Sequence, residues 1–231
     1  MKRNVNLSEI SDGRLYGSND MVKADCHGCK GCFDCCRGMG KSVILDPYDI
    51  YRLAVGLGKG TEALMEEGKV ELNVVDGCIL PNLKMNGQDE RCAFLNGQGR
   101  CDIHEFRPGI CRLFPLGRYY ENGDFKYLIQ IHECSAQNRS KVKVSKWIDT
   151  PQLGKNHNFV CKWHYLLNDM EAVVGSCEDE NLTKLVNMML LNFFYITPYD
   201  VEKDFYEQFD LRYESFIDAF KKCQKEQNKS K

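Results

Sequence analysis

The chain has 231 residues and a mass of 26.6 kDa, with 43% hydrophobic and 11% aromatic residues, enough apolar material to bury a substantial core. Its 31 basic and 33 acidic residues leave a net charge of −2, so no global field favours nucleic acid or an anionic membrane surface as a partner. The longest uncharged run, Leu185 to Tyr199, is short and interrupted by Asn187, Asn192 and Pro198, which excludes a membrane-spanning helix. Met1-Lys2-Arg3 leads into polar sequence rather than an apolar run, so the expected location is cytoplasmic. Against this ordinary background stand 13 cysteines. An odd number of thiols in a reducing compartment points to metal or redox chemistry rather than a disulfide framework.

Residues 1–25 are polar without a sustained period and read as an N-terminal arm. Then Cys26-His27-Gly28-Cys29-Lys30-Gly31-Cys32-Phe33-Asp34-Cys35-Cys36 packs five thiols into eleven residues. A Cys-x2-Cys step brings two sulfurs to one metal through a tight turn, and Gly28 and Gly31 let the backbone bend around it. Adjacent Cys35 and Cys36 bridge each other poorly, which favours a soft-metal site over a disulfide.

Asp46-Pro47 places a capping acid before a proline, and Ile50, Leu53, Ala54 and Leu57 follow at helical spacing, predicting a helix over 47–57. Thr61 starts a second short helix closed by Gly68. Val70, Leu72 and Val74 alternate up to Asp76-Gly77, and Cys78-Ile79-Leu80 leads out, the pattern of a two-residue hairpin. A second hairpin is expected from residues 92–95 and 100–103 around Asn96-Gly97-Gln98-Gly99, which would bring Cys92 and Cys101 together. A third is expected from 116–120 and 125–131.

From about residue 145 the pattern turns helical, with helices expected over 159–174, 181–195 and 199–224. Thr197-Pro198 with Asp200 reads as the start of the last, whose stripe runs Val201, Phe205, Phe209, Tyr213, Phe216, Ile217 and Phe220. The expected fold is therefore α+β. A cysteine-cluster metal-binding domain at 26–144, built of short β-hairpins and one or two helices, is covered by a helical C-terminal part at 145–231.

The second half of the cysteine pattern is Cys92-Ala-Phe-Leu followed by Cys101-Asp-Ile-His104-Glu-Phe-Arg107-Pro108-Gly-Ile-Cys111-Arg112-Leu-Phe114-Pro115. Together, Cys-x2-Cys-x2-Cys-Cys, Cys-x8-Cys and Arg-Pro-x2-Cys-Arg-x-Phe-Pro resemble the YkgJ-type CxxCxxCC cysteine-cluster family, described as zinc- or iron-chelating proteins. The resemblance covers residues 29 to about 134. It implies metal ligands at Cys29, Cys32, Cys35, Cys36, Cys92, Cys101, Cys111 and Cys134, although Cys134 is followed by Ser135-Ala136 where the family pattern has Pro-Gly. One branch of the family resembles flagellin lysine N-methylases, which implies S-adenosylmethionine and a protein substrate as an alternative reading. A metal carrier or store is another.

Eight sulfurs suffice for two four-coordinate sites or one larger cluster, and sulfur ligation suits zinc or an iron-sulfur centre. Cys26-x2-Cys29-x2-Cys32-x3-Cys36 has the spacing of a ferredoxin run that wraps a 4Fe-4S cluster, with Arg37 where a proline is usual. Paired zinc knuckles from Cys29/Cys32 and Cys92/Cys101 fit as well. Arg107 and Arg112 either offset thiolate charge beside Cys111 or pair with surface carboxylates. His104 and His132 are weaker ligand candidates. Cys161 and His164 could share a helical face, but Cys161, Cys177 and Cys223 read first as small buried hydrophobes. Cys26 and Cys78 lie outside the family pattern.

Overall fold

The computed structural model describes residues 6–26, 32–136, 138–176 and 179–229. Its architecture is α+β: the described strands pair as four separate two-stranded antiparallel ladders, and the C-terminal part is helical.

The N-terminal segment is more ordered than its composition suggests. It carries helix α1 (Leu7–Ile10) and strand β1 (Met21–Asp25). β1 pairs with β8 (Ser140–Lys143) through Met21↔Lys143 and Val22↔Val142, burying Val22 and Ala24 completely. Tyr16 also bridges Tyr127. The period-two signal is real but only four residues long, and it runs straight into the cysteine cluster, so the sequence hides it.

Helix α2 (Pro47–Leu57) starts with a reciprocal capping box between Asp46 and Asp49 and ends at Gly58, where φ is 65°. Helix α3 (Thr61–Glu66) follows. Strands β2 (Val70–Val75) and β3 (Cys78–Leu83) form the expected hairpin, with Asp76 and Gly77 at φ 50° and 82°.

The next hairpin departs from expectation. Cys92 lies in β5 (Arg91–Cys92), whose partner is β4 (Met85–Asn86), and residues 95 and 101 form only an isolated bridge. The turn closes through backbone bonds from Asn96 N to Arg100 O and from Asp102 N to Phe94 O, both at 2.9 Å, and Asn96 Oδ1 reinforces it by accepting from the N–H of Gln98 and Arg100. Helix α4 (Gly109–Leu113) leads into β6 (Leu116–Glu121) and β7 (Asp124–Ile129), the third expected hairpin.

After α5 (Val144–Ile148), the helical part comprises α6 (Leu153–Ser176), α7 (Glu180–Leu191) and α8 (Phe205–Lys229), with a π turn at 192–196 extending α7. The last helix begins later than its stripe predicts. Asp204 Oδ1 accepts from Tyr206 N and Glu207 N at 2.9 and 3.1 Å and so supplies the cap. Arg212 reaches back to the carbonyls of Thr197 and Pro198 at 2.7 and 2.6 Å and lies over the Tyr199 ring, fixing the preceding link. Val201 is consequently exposed instead of joining the stripe.

The helical core is aromatic. Trp163 meets Phe194 at 5.1 Å, Phe194 meets Phe216 at 5.3 Å, and Phe159 meets Phe209 at 4.7 Å between ring centroids. Buried polar bonds then tie this core to the cysteine half. Tyr195 Oη donates to Leu45 O at 3.0 Å, Thr61 Oγ1 donates to Tyr195 O at 2.6 Å, and Asn187 Oδ1 accepts from Ile79 N at 2.6 Å. No described helix is long and apolar enough to cross a membrane.

Candidate metal centre

One cavity of about 90 Å³ is lined by Cys32, Cys35, Cys36, Cys92, Cys101 and Cys111. Residues from opposite ends of the cysteine pattern thus share one wall. Each arrives there for a local reason. Cys35 and Cys36 sit on a 3₁₀ turn over residues 34–36. Phe33 seats that turn on Gly99, where an added Cβ would fall 2.8 Å from the ring and where φ is 71°, so glycine is required twice over. Gly38 N donates to Glu90 O at 3.2 Å, holding the same loop against β5.

Cys111 is placed from behind. Its helix α4 starts at Gly109, whose N–H donates to Asp49 Oδ1 at 2.6 Å, so the capping box of α2 also orients α4. Burial, and then the neighbouring Asp46, push the Asp49 carboxyl well above the usual carboxylate range.

The thiols feel one another. Cys35 is drawn down to about 7, first by a hydrogen bond from Cys36 and further by the Arg107 guanidinium. The donor, Cys36, is pushed up by that bond, by burial and by Cys35, Cys101 and Cys92. Burial raises Cys92, Cys101 and Cys111, and mutual repulsion adds to it: Cys35 acts on Cys92, Cys92 on Cys101, and Cys92, Cys35 and Cys101 on Cys111. Bare, this pocket therefore resists accumulating thiolates. A bound cation reverses that, because a coordinated thiol gives up its proton.

The family model described as "CxxCxxCC: Putative zinc- or iron-chelating domain" matches residues 28–149, more than half of the chain. The chain belongs to the CxxCxxCC family. No curated protein and no solved structure matches it. Among the described residues the donor set around the cavity is several sulfurs, no carboxylate and a single imidazole, a composition suited to zinc or iron rather than to magnesium or calcium.

The remaining candidates separate. Cys29 and Cys177 lie outside the described residues. Cys134 does not line the cavity, although its neighbour Ser135 donates to Asp34 beside Cys35. His104 lines the cavity, but its Nε2 accepts from Arg107 Nη1 at 3.0 Å, which commits that lone pair. Burial and Arg107 lower its pKa accordingly. His132 is exposed and Cys26 is absent from the lining. Cys78 is buried on β3, and Cys223 packs against Met189 Sδ at 4.0 Å, both as small apolar side chains.

The two arginines differ: Arg107 takes the first alternative, while Arg112 bonds chiefly backbone carbonyls and meets the exposed Asp149 carboxylate only at 4.0 Å. Arg107 lines the cavity and acts on Cys35 and Cys101. Arg112 instead donates to the carbonyls of Glu105, Arg107 and Asp149, stitching the 104–107 turn to the end of α5. Phe33 and Phe114 complete an apolar surround. Sequence reasoning missed Asp49 and Gly99, whose roles depend on contacts across the fold.

Proposed function

We propose that this chain is a metal-binding protein of a reducing compartment whose two cysteine groups jointly hold an iron-sulfur cluster, with Cys32, Cys35, Cys36, Cys92, Cys101 and Cys111 as the described ligands. The observation that carries this reading is that six cysteines from both groups line one cavity of about 90 Å³. A single tetrahedral zinc uses four ligands and closes tightly around itself. Six sulfurs around an open volume exceed that need and suit a centre with more than one metal atom. Cys29 and Cys134, on segments flanking the cavity residues in sequence, are available as further ligands.

Arg107 offsets part of the thiolate charge, and the Phe33 and Phe114 rings keep water from the sulfurs, two levers that tune an iron-sulfur centre. The absence of any disulfide among the described cysteines suits a reducing location.

Anaerobic purification followed by iron, zinc and acid-labile sulfide analysis tests the proposal. Iron and sulfide in equal amounts, lost in Cys35→Ser and Cys101→Ser alike, are expected. Zinc without sulfide would replace the cluster with a zinc centre, and metal loss in only one of the two variants would refute a shared site.

A further inference from the structure

On the opposite strand ladder, outside the cysteine pattern, three side chains of different chemistry converge. His157 and Cys161 lie one turn apart on α6, and Asp124 opens β7. Their donor atoms all lie within 4.8 Å of one another. His157 Nε2 is 2.6 Å from Asp124 Oδ1, and Cys161 Sγ is 3.9 Å from the same oxygen.

We infer that Asp124, His157 and Cys161 form a second metal site, for a divalent transition ion of the zinc class. Zinc bonds of about 2.0–2.3 Å to sulfur, nitrogen and oxygen set tetrahedral edges of roughly 3.4–3.6 Å. The sulfur-oxygen distance already approaches that edge. The histidine-carboxylate pair must open by somewhat less than 1 Å, by rough comparison with the same edges. One sulfur, one nitrogen and one oxygen disfavour magnesium and calcium, which take oxygen alone.

Both supporting elements are held in place. The His157 ring stacks on Phe125 at 4.3 Å, with 23° between planes. Asp124 Oδ1 accepts from Phe125 N at 2.8 Å, which orients the carboxylate. The β6–β7 turn, with Asn122 and Gly123 at φ 53° and 80°, is docked on α6 by Gly123 N donating to Tyr165 Oη at 2.9 Å. The donors therefore meet without a large rearrangement, a condition that lowers the cost of binding. On binding, a Zn–S bond forms as the Cys161 S–H bond gives its proton to solvent. The hydrogen that His157 Nε2 shares with Asp124 Oδ1 is likewise replaced by the metal, the ring proton residing on Nδ1 so that Nε2 presents its lone pair. Three protein donors leave a fourth position to water or an external ligand, the arrangement of open zinc sites.

The test uses the full chain with its cysteine cavity intact and Zn²⁺ alone as probe. Alkylation of Cys161 is followed by peptide mass mapping with and without zinc. Zinc should slow alkylation about tenfold or more in the parent chain, and both His157→Ala and Asp124→Asn should lose most of that protection, in keeping with the sensitivity of metal sites to single ligands. Asp124→Asn retains the acceptor for Phe125 N, so it separates ligation from turn integrity. Alkylation of Cys92 and Cys101 should respond to zinc equally in all three chains. Equal Cys161 rates with and without zinc in the parent would overturn the inference, as would protection that survives in both variants.

Discussion

The helical part and the cysteine half solve the same problem with opposite materials. From α6 to α8, aromatic rings such as Phe194, Phe209 and Phe216 are almost wholly buried against one another. Around the cavity the chain runs through a 3₁₀ turn, two-residue strands and a five-residue helix; Val43, Leu83 and Ile103 on its wall join the same buried core as the helices, and the thiols gather at the edge of that core. One region has enough apolar surface to fold by burial. The other adds short turns converging on sulfur, where ligation of an ion would supplement burial.

The sharpest way to break the comparison is to strip the metal. Structural metal sites contribute on the order of 10 kcal/mol in small modules, comparable to the stability of a whole domain. Hydrogen exchange on chelated protein should accelerate across residues 32–42 and 85–113 while the amides of α6 and α7, and of the β2–β3 hairpin bonded to α7, stay protected. Uniform acceleration in both regions would merge them into one cooperative unit. The converse is Phe194→Ala, which should cost about 3–5 kcal/mol in denaturant melts of loaded and stripped protein alike, because its loss is one of packing.

Gly99→Ala should cost about 1–2 kcal/mol from its left-handed backbone, with further loss from the Phe33 contact. Its effect should appear as weakened metal retention more than as a lowered helical melt, checked by competition with a chelator. The pH response carries opposite signs in the two states. Cys92, Cys101 and Cys111 are raised above the ordinary thiol value of 9.0, so stripped protein holds their contribution below that pH and loses it as pH rises toward the folded values. Loaded protein should instead weaken on acidification, as protons compete for sulfur. Urea midpoints of the stripped form from neutral to alkaline pH, and of the loaded form from neutral to acidic pH, check both slopes. Smallest of all, Cys78→Ser should leave metal content unchanged, since that thiol lies on β3 outside the cavity.

Much of this division was legible before any coordinate. The cysteine spacing, the Asp46-Pro47 helix start and the Asp76-Gly77 hairpin each encode their structure within a few residues. Some of what escaped is local competition that spacing does not rank: Asn96 caps its own turn, Cys92 pairs with Met85, and Asp204 rather than Asp200 caps α8. The rest depended on partners far along the chain. The Asp124–His157 pair joins residues 33 positions apart on unlike elements, so no periodicity could announce it. Asp49 drew no role from the sequence, and only its bond to Gly109 reveals that it orients the helix bearing Cys111.

The pairing of Met21 and Val22 with Lys143 and Val142 brings together the two ends of the thiol-bearing stretch. Chain enters and leaves that stretch through neighbouring doors. Such a layout pins both ends of the stretch by backbone bonds, while its middle is anchored separately on the helices through Leu45, Thr61 and Ile79.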